Sequence, residues 1–396
     1  MIHNPIRSNI AKIYLIQILR WSMLVIPTFV LFLQDNGLSM QQVLITQAVF
    51  SIVIVVMEIP SGYFADSIGR KTSIIIGCIL GFFGYVVYSL SYGFAGFLVA
   101  ETFLGISASF ISGADSAMLY DTLAELEETD NYQKTEGRKI FFQSSAEGIA
   151  SIAGGLLALI SLRFPFYIQT GILALAIPLA FSLKEPKYQQ PDPSEWNVTG
   201  MLKAIKFALN DHPQVKWLII YSGLVAAATL NVVWFIQPYF KLVGLPLALF
   251  GIAWAILQFC AAIFALLAHR TEALLGRATS LISLILLSSA GYFFISYFQA
   301  FWALPFLLIF YFVRGINGPV LKDYINRLIP SEIRATVLSV QSLITRVIFS
   351  FLGPILGYLT DQYSLSFAFL IAGLIFLASG LISIMFLYKH KVLYEH

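Results

Sequence analysis

Along nearly its whole length this chain repeats continuous apolar runs of about 20 residues, each enough to cross about 30 Å of hydrocarbon as an α-helix, and that repetition leaves few folds open to it. Hydrophobic residues make up 58% of its 396 positions and charged ones 11%, whereas a soluble domain carries about 25% charged residues. The runs are unbroken rather than alternating, which excludes the strands of an outer-membrane barrel. In lipid, helices then remain as the way to satisfy the backbone. Residues 4 to 12 are polar and lead straight into a full-length run, so no cleavable signal is expected.

Apolar runs broken by Gly, Pro and charge predict twelve spans. Spans 1 to 6 fall at 10–33, 40–61, 72–91, 94–119, 140–161 and 164–183. Spans 7 to 12 fall at 215–237, 246–268, 278–297, 300–324, 335–357 and 364–388. With a cytoplasmic N-terminus, nineteen of the 24 Lys and Arg lie in cytoplasmic segments or at the cytoplasmic ends of spans, two outside (Arg163, Lys241) and three deeper within spans (Arg20, Arg314, Arg346). The positive-inside rule therefore puts both termini in the cytoplasm. The expected organisation is a six-helix bundle over 1–183, a cytoplasmic linker over 184–214 and a second six-helix bundle over 215–396. Within the linker, residues 195–209 read either as an amphipathic helix or as a solvated connection. Cys78 and Cys260 lie in apolar runs and read as small core hydrophobes, with neither disulfide nor metal site expected.

Two echoes suggest related halves. Leu275-Gly276-Arg277 follows span 8 as Ile68-Gly69-Arg70 follows span 2, and Gly318 with Asn326 near the end of span 10 echoes Gly113 with Asp121 near the end of span 4. Such repeats put a substrate path at their interface.

The connection after span 2 reads as a tight polar turn, Gly62-Tyr63-Phe64-Ala65-Asp66-Ser67-Ile68-Gly69-Arg70-Lys71. Gly62 permits close approach of a neighbouring helix, Gly69 permits a sharp turn, and Asp66 stands where it can accept charge-assisted hydrogen bonds. The pattern of Gly, three residues, Asp, two residues, Gly, Arg, Lys resembles the connection between helices 2 and 3 of the major facilitator superfamily of secondary transporters. Pro330 to Thr336 and Gly353-Pro354-Ile355-Leu356-Gly357 resemble segments of the same superfamily. Ser67 stands where that family often has a basic residue. The resemblance implies an all-α membrane protein of twelve helices in two pseudo-symmetric bundles. It also implies a gating role for Gly62, Asp66, Gly69, Arg70 and Lys71, to which the preceding Glu58 with Pro60 is added; anchoring alone is the other reading of Lys71.

Ionisable residues inside a span cost about 3 kcal/mol or more and normally face a bundle interior or aqueous cavity. Arg20 falls in the middle of span 1, Glu101 and Asp115 in opposite halves of span 4, and Glu147 in span 5. On one continuous helix Glu101 and Asp115 would share a face about 21 Å apart. Glu101 stands where the resembled family often has an Arg, so that role does not transfer. Arg20 is expected to pair with an acid of span 4 or span 5. An acid poised between burial and an Arg partner can couple protonation to conformation, which makes Glu101, Glu147, Asp115 and Arg20 proton-coupling candidates; static ion pairs are the alternative. Arg314 and Arg346 have no acid at their depth in the second half, and their planar forks suit an anionic or zwitterionic solute; pairing with acids of the other half is the alternative. Gln17, Tyr221, Asn231, Trp234, Gln237, Gln258 and Asn317 are the polar and aromatic residues that could complete a substrate site.

The expected function is proton-coupled transport of a small anionic, zwitterionic or amphipathic solute by alternating access, in a bacterial cytoplasmic membrane, by a monomer, with export preferred. Symport uptake of a charged metabolite such as a siderophore is the alternative, and a non-transporting receptor or scaffold is the alternative of another class. The five His are dispersed and no nucleotide motif occurs, so neither an enzyme, a cofactor other than the proton gradient, nor a nucleic-acid partner is expected.

Overall fold

The computed structural model describes residues 5–186, 206–330 and 333–394. Among these, every regular element is helical, and eleven segments are long and apolar enough to cross a membrane. They are Pro5–Asp35, Met40–Ile68, Arg70–Leu90, Phe94–Glu125, Phe164–Ser182, Pro213–Leu242, Leu247–Leu275, Arg277–Tyr297, Phe301–Leu328, Thr336–Gln362 and Leu365–Lys389. The remaining long helix, Tyr132–Leu157, is span 5. Its polar first half lowers its apolar character, and it begins eight residues before the expected start. Of the linker, Phe207–Asp211 forms one wide helical turn; the rest of the expected amphipathic helix, and the Ser331-Glu332 part of the 330–336 segment, lie outside the described residues.

Three departures from continuous helices shape the molecule. The stretch 62–68 is helical, and the expected ten-residue turn shrinks to Gly69 alone, with φ +120°. Gly276 makes the same one-residue break after span 8 with φ +74°, as the echo between halves suggested. Span 4 is interrupted at Gly113, with φ +79°, between Phe94–Ile111 and Ala114–Glu125. Glu101 and Asp115 therefore do not sit on one continuous helix, and their counted alignment does not hold.

Span 1 also breaks, between Ser8–Trp21 and Phe29–Asp35. At the break the Leu24 amide donates to Gln169 Oε1 of span 6 at 3.1 Å. Span 5 fits against it because a Cβ on Gly154 would fall inside the Leu24 carbonyl. Irregular backbone at such depth is tolerated where protein groups satisfy it.

Contacts group the chain into two units, one of residues 1–38, 49–196 and 247–255, the other of 39–48, 197–246 and 256–396. In the first, span 3 lays Gly77, Gly81 and Gly84 along span 4, where Ser107 Oγ donates to the Gly77 carbonyl at 2.6 Å and Ser73 Oγ to that of Phe110 at 2.6 Å. Small faces of this kind let helices meet in lipid, where the hydrophobic effect no longer drives association. Arg163, which ran against the charge bias, caps span 3: Nη1 donates to the carbonyls of Ser89 at 2.9 Å and Ser91 at 2.8 Å, and the guanidinium lies 3.8 Å from the Tyr92 ring centre. In the second unit, Tyr292 stacks on Phe376, meets Phe310 edge-on, and donates its hydroxyl to the Ala228 carbonyl at 2.6 Å.

Candidate functional site

The densest buried polar cluster in the first unit is built on Lys139, which is 3% exposed. Its ammonium lies 3.1 Å from Asp115 Oδ2 and 2.7 Å from Glu136 Oε1, and donates to Ser116 Oγ at 2.6 Å. The break at Gly113 starts a new helix whose first turn presents Asp115 and Ser116, where a carboxylate also favours the helix dipole. Ser116 Oγ donates on to Glu136 at 2.9 Å. A lysine without its acids would not stay charged at this burial, and the two acids hold it there.

Span 1 joins from the other side. Gln17 Nε2 donates to Asp115 Oδ2 at 2.6 Å, while Gln17 Oε1 accepts from Gln143 Nε2 at 2.9 Å and from Arg20 Nη1 at 3.4 Å. The amide of Gln17 is thereby oriented, with its carbonyl toward cations and donors and its NH2 toward the acid. Lys139, Gln143 and Glu147 recur every four residues and so share one stripe of span 5. The expected pairing of Arg20 with an acid is not made: it forms no ion pair among the described residues, because Gln17 stands between it and Asp115 and Lys139 occupies the carboxylate.

Glu101 lies apart from this network. It is 3% exposed and accepts the Tyr88 hydroxyl at 2.5 Å, and Tyr88 stacks on Phe97 within a cluster that includes Phe29 and Phe166. Glu147 is half-buried.

Around the Gly69 break, Asp66 pairs with Arg70, whose Nε lies 3.7 Å from Asp121 of span 4. Glu185, just beyond span 6, accepts the Arg70 amide at 2.7 Å and the Lys71 amide at 2.9 Å. It caps the first turn of span 3, and a Cβ on Gly69 would meet its carboxylate at 3.0 Å. Thus Lys71 enters through its backbone. A Cβ added at Gly62 would have nothing within 4 Å among the described residues. Glu58 is half-buried, and its backbone carbonyl accepts from Ser61.

In the second unit, Arg314 is exposed and forms no ion pair among the described residues, while Arg346 is half-buried. Tyr221 is fully buried and donates its hydroxyl to the Leu281 carbonyl. Asn231 donates to the Ala227 carbonyl at 2.8 Å; its Oδ1 and that of Asn317 are buried without a hydrogen-bond partner among the described residues. Gln237 is buried, and Trp234 and Gln258 are half-buried. A cavity of about 200 Å³ at the ends of spans 8 and 10 is lined by His269, Glu272, Pro319, Val320, Asp323, Tyr324 and Arg327, none of them among the substrate candidates. No group of three or more His, Cys, Asp or Glu is placed to hold a metal among the described residues.

Sequence reasoning missed Lys139, Glu136, Gln143, Ser116 and Glu185. The i, i+3 spacing of Glu136 and Lys139 was the available signal, but a start for span 5 at 140 left both in a solvated connection.

Comparison with known proteins agrees with this architecture. The chain is 24% identical over 358 residues to the uncharacterized MFS-type transporter YxaM of Bacillus subtilis (strain 168), covering 89% of this chain and 88% of that one. It is 24% identical to quinolone resistance protein NorA of Staphylococcus aureus (strain MRSA252) over 209 residues, 52% of this chain and 53% of that protein. A solved structure of a variant of the nucleoside transporter NupG superposes with a TM-score of 0.80 at 14% identity, covering 98% of this chain and 100% of that one. The family model of the Major Facilitator Superfamily matches residues 13–354, and the chain belongs to that superfamily of transporters, which are not enzymes.

Proposed function

We propose that the protein is a proton-coupled secondary transporter that moves a small organic solute across a bacterial cytoplasmic membrane by alternating access, with both termini cytoplasmic and the monomer as the working unit. The observation that carries this reading is the Asp115–Lys139–Glu136 cluster joined through Gln17 to Arg20. Buried charges are costly in a span and are retained where they do work. An acid that can lose its lysine, or gain a proton in its place, gives the two conformations different proton affinities. Glu101 on Tyr88 and Glu147 on the span 5 stripe are further proton-site candidates, and Asp66, Arg70 and Glu185 form the gate at the Gly69 break.

Export is the preferred direction, supported by likeness to a quinolone resistance protein over about half of each chain. Uptake of a charged metabolite by symport is the second reading, favoured by the exposed mid-span Arg314 and the ion-pair-free Arg20. A receptor or scaffold would have no need of these charges. The test is solute-evoked proton flux in proteoliposomes under a pH gradient. Flux is expected in the wild type and should vanish in Asp115→Asn and in at least one of Glu101→Gln and Glu147→Gln. Wild-type flux in all three variants would remove proton coupling from these acids.

A further inference from the structure

The charges of the buried network sum to zero only when Arg20 is counted. Lys139 is shared between two carboxylates, which leaves that triad one negative charge in surplus. Arg20 supplies the balance from a distance, through Gln17, and commits one N–H to a 3.4 Å bond to its carbonyl. A guanidinium has five N–H donors in a planar fork, matched to carboxylate or phosphate. Held by Gln17 and without an ion pair of its own, Arg20 keeps the rest of that fork for a ligand.

Resting on the transport reading above, we propose that Arg20 binds a carboxylate or phosphate of the transported solute, and that each anion bound there brings one proton onto Asp115. An anion at Arg20 consumes the charge that balanced the triad and leaves the network one negative charge in excess. A proton on a carboxylate oxygen of Asp115 restores neutrality: one H+ enters, one O–H bond forms and none breaks. Asp115 is the acid that takes it because its side chain is 12% exposed against 23% for Glu136, so its charge is the less solvated. Lys139 is not stranded, since Glu136 and Ser116 continue to hold it.

Of the other carboxylates, Glu147 lies one turn beyond Gln143 on the span 5 stripe, and Asp115→Asn below tells the two acids apart. Cys78 and Tyr85 of span 3 act on Arg20 along with Asp115, and both are neutral at physiological pH. Tyr132 and Tyr14, near Glu136 and Lys139, are phenols rather than carboxylates. Anion and proton therefore occupy the network together and cross in the same direction, which favours the symport reading above over export. By linkage, anion affinity rises as pH falls, because the bound state holds one proton more than the free state.

The test uses the purified full-length protein with four probes that share a phenyl ring and differ in head group: benzoate, phenylphosphonate, benzamide and benzylammonium. Thermal stabilisation should follow the anions and not the amide or the cation. Arg20→Gln should weaken anion binding by about tenfold to a hundredfold, Arg20→Lys by less, and Arg314→Gln should leave it unchanged. Asp115→Asn should still bind anions, now without pH dependence and without the proton uptake that a dye reports in weakly buffered wild-type protein. A measurement needing no variant is phenylglyoxal modification of Arg20, which benzoate or phenylphosphonate should block and benzamide should not. Stabilisation by no anion, equal stabilisation by all four probes, or undiminished anion binding in Arg20→Gln would overturn the proposal. None of these measurements involves a gradient, so their failure is separate from a failure of proton-coupled flux in proteoliposomes.

Discussion

Lys139→Met should lower the stability of the detergent-solubilised protein by about 3–5 kcal/mol, the range for removing one partner of a buried ion pair. The side chain lost is 3% exposed and the two carboxylates it separates stand 3.1 and 2.7 Å from its ammonium. Without it, Asp115 and Glu136 are left as adjacent like charges, and one must take a proton to relieve the repulsion. The effect should therefore be larger at neutral pH than near pH 5, where protonation is easier. Adding Asp115→Asn should recover part of the loss, because the double variant buries one charge fewer, and the recovered fraction measures the pair's coupling. A drop of several degrees in the thermal midpoint is the expected reading for the single variant. A midpoint equal to that of the wild type would mean that Lys139 is solvated and the network is not as described.

Gly154→Ala should be about as damaging, through shape instead of charge. A Cβ at this position would overlap the Leu24 carbonyl, a backbone atom fixed by the break in span 1 and unable to rotate away as a side-chain tip would. Overpacking ordinarily costs about 1–3 kcal/mol and more where the backbone must move. Here the displaced carbonyl borders the amide that Gln169 satisfies, so a hydrogen bond is strained along with the contact. Gly171→Ala is the matched control, since it is helical and has nothing within 4 Å of its added Cβ. It should be neutral or stabilising by up to about 1 kcal/mol from helix propensity. Thermal unfolding of the two variants side by side separates local crowding from any general intolerance to losing a glycine.

Both sites show how far sequence reasoning reached. Apolar windows of membrane length identify spans one at a time, because the requirement is local: each helix must satisfy its own backbone and be apolar over enough residues. A turn at Gly69 and its echo at Gly276 were also signalled, but the first was expected over ten residues and is confined to one. Lys139 was hidden because a charge rule sorts lysines by the side of the membrane to which a segment belongs, and its partner Asp115 lies on another helix. The i, i+3 acid Glu136 is the one signal near Lys139 in sequence, and such a pair forms as readily on a solvated helix face. The Gly113 break was hidden for a similar reason: glycine is common inside membrane helices, and its φ depends on what the following turn must present. Gln17 was singled out for its polarity, but its work of orienting Arg20 and Asp115 together belongs to three helices at once. Tyr221 was chosen for the same polarity, and the Leu281 carbonyl of span 9 that takes its hydroxyl could not be read from the sequence.

If the Arg20–Gln17–Asp115–Lys139 network joins solute movement to proton movement, the two must come apart when its acid is neutralised. One proteoliposome preparation of Asp115→Asn can show this, by comparing exchange of labelled for unlabelled solute with net uphill accumulation driven by a pH gradient. Exchange needs the solute to bind and the protein to change conformation, whereas accumulation also needs the proton. Exchange should persist near the wild-type rate while accumulation is abolished; accumulation at the wild-type level, or loss of both processes together, would contradict a coupling role for the network.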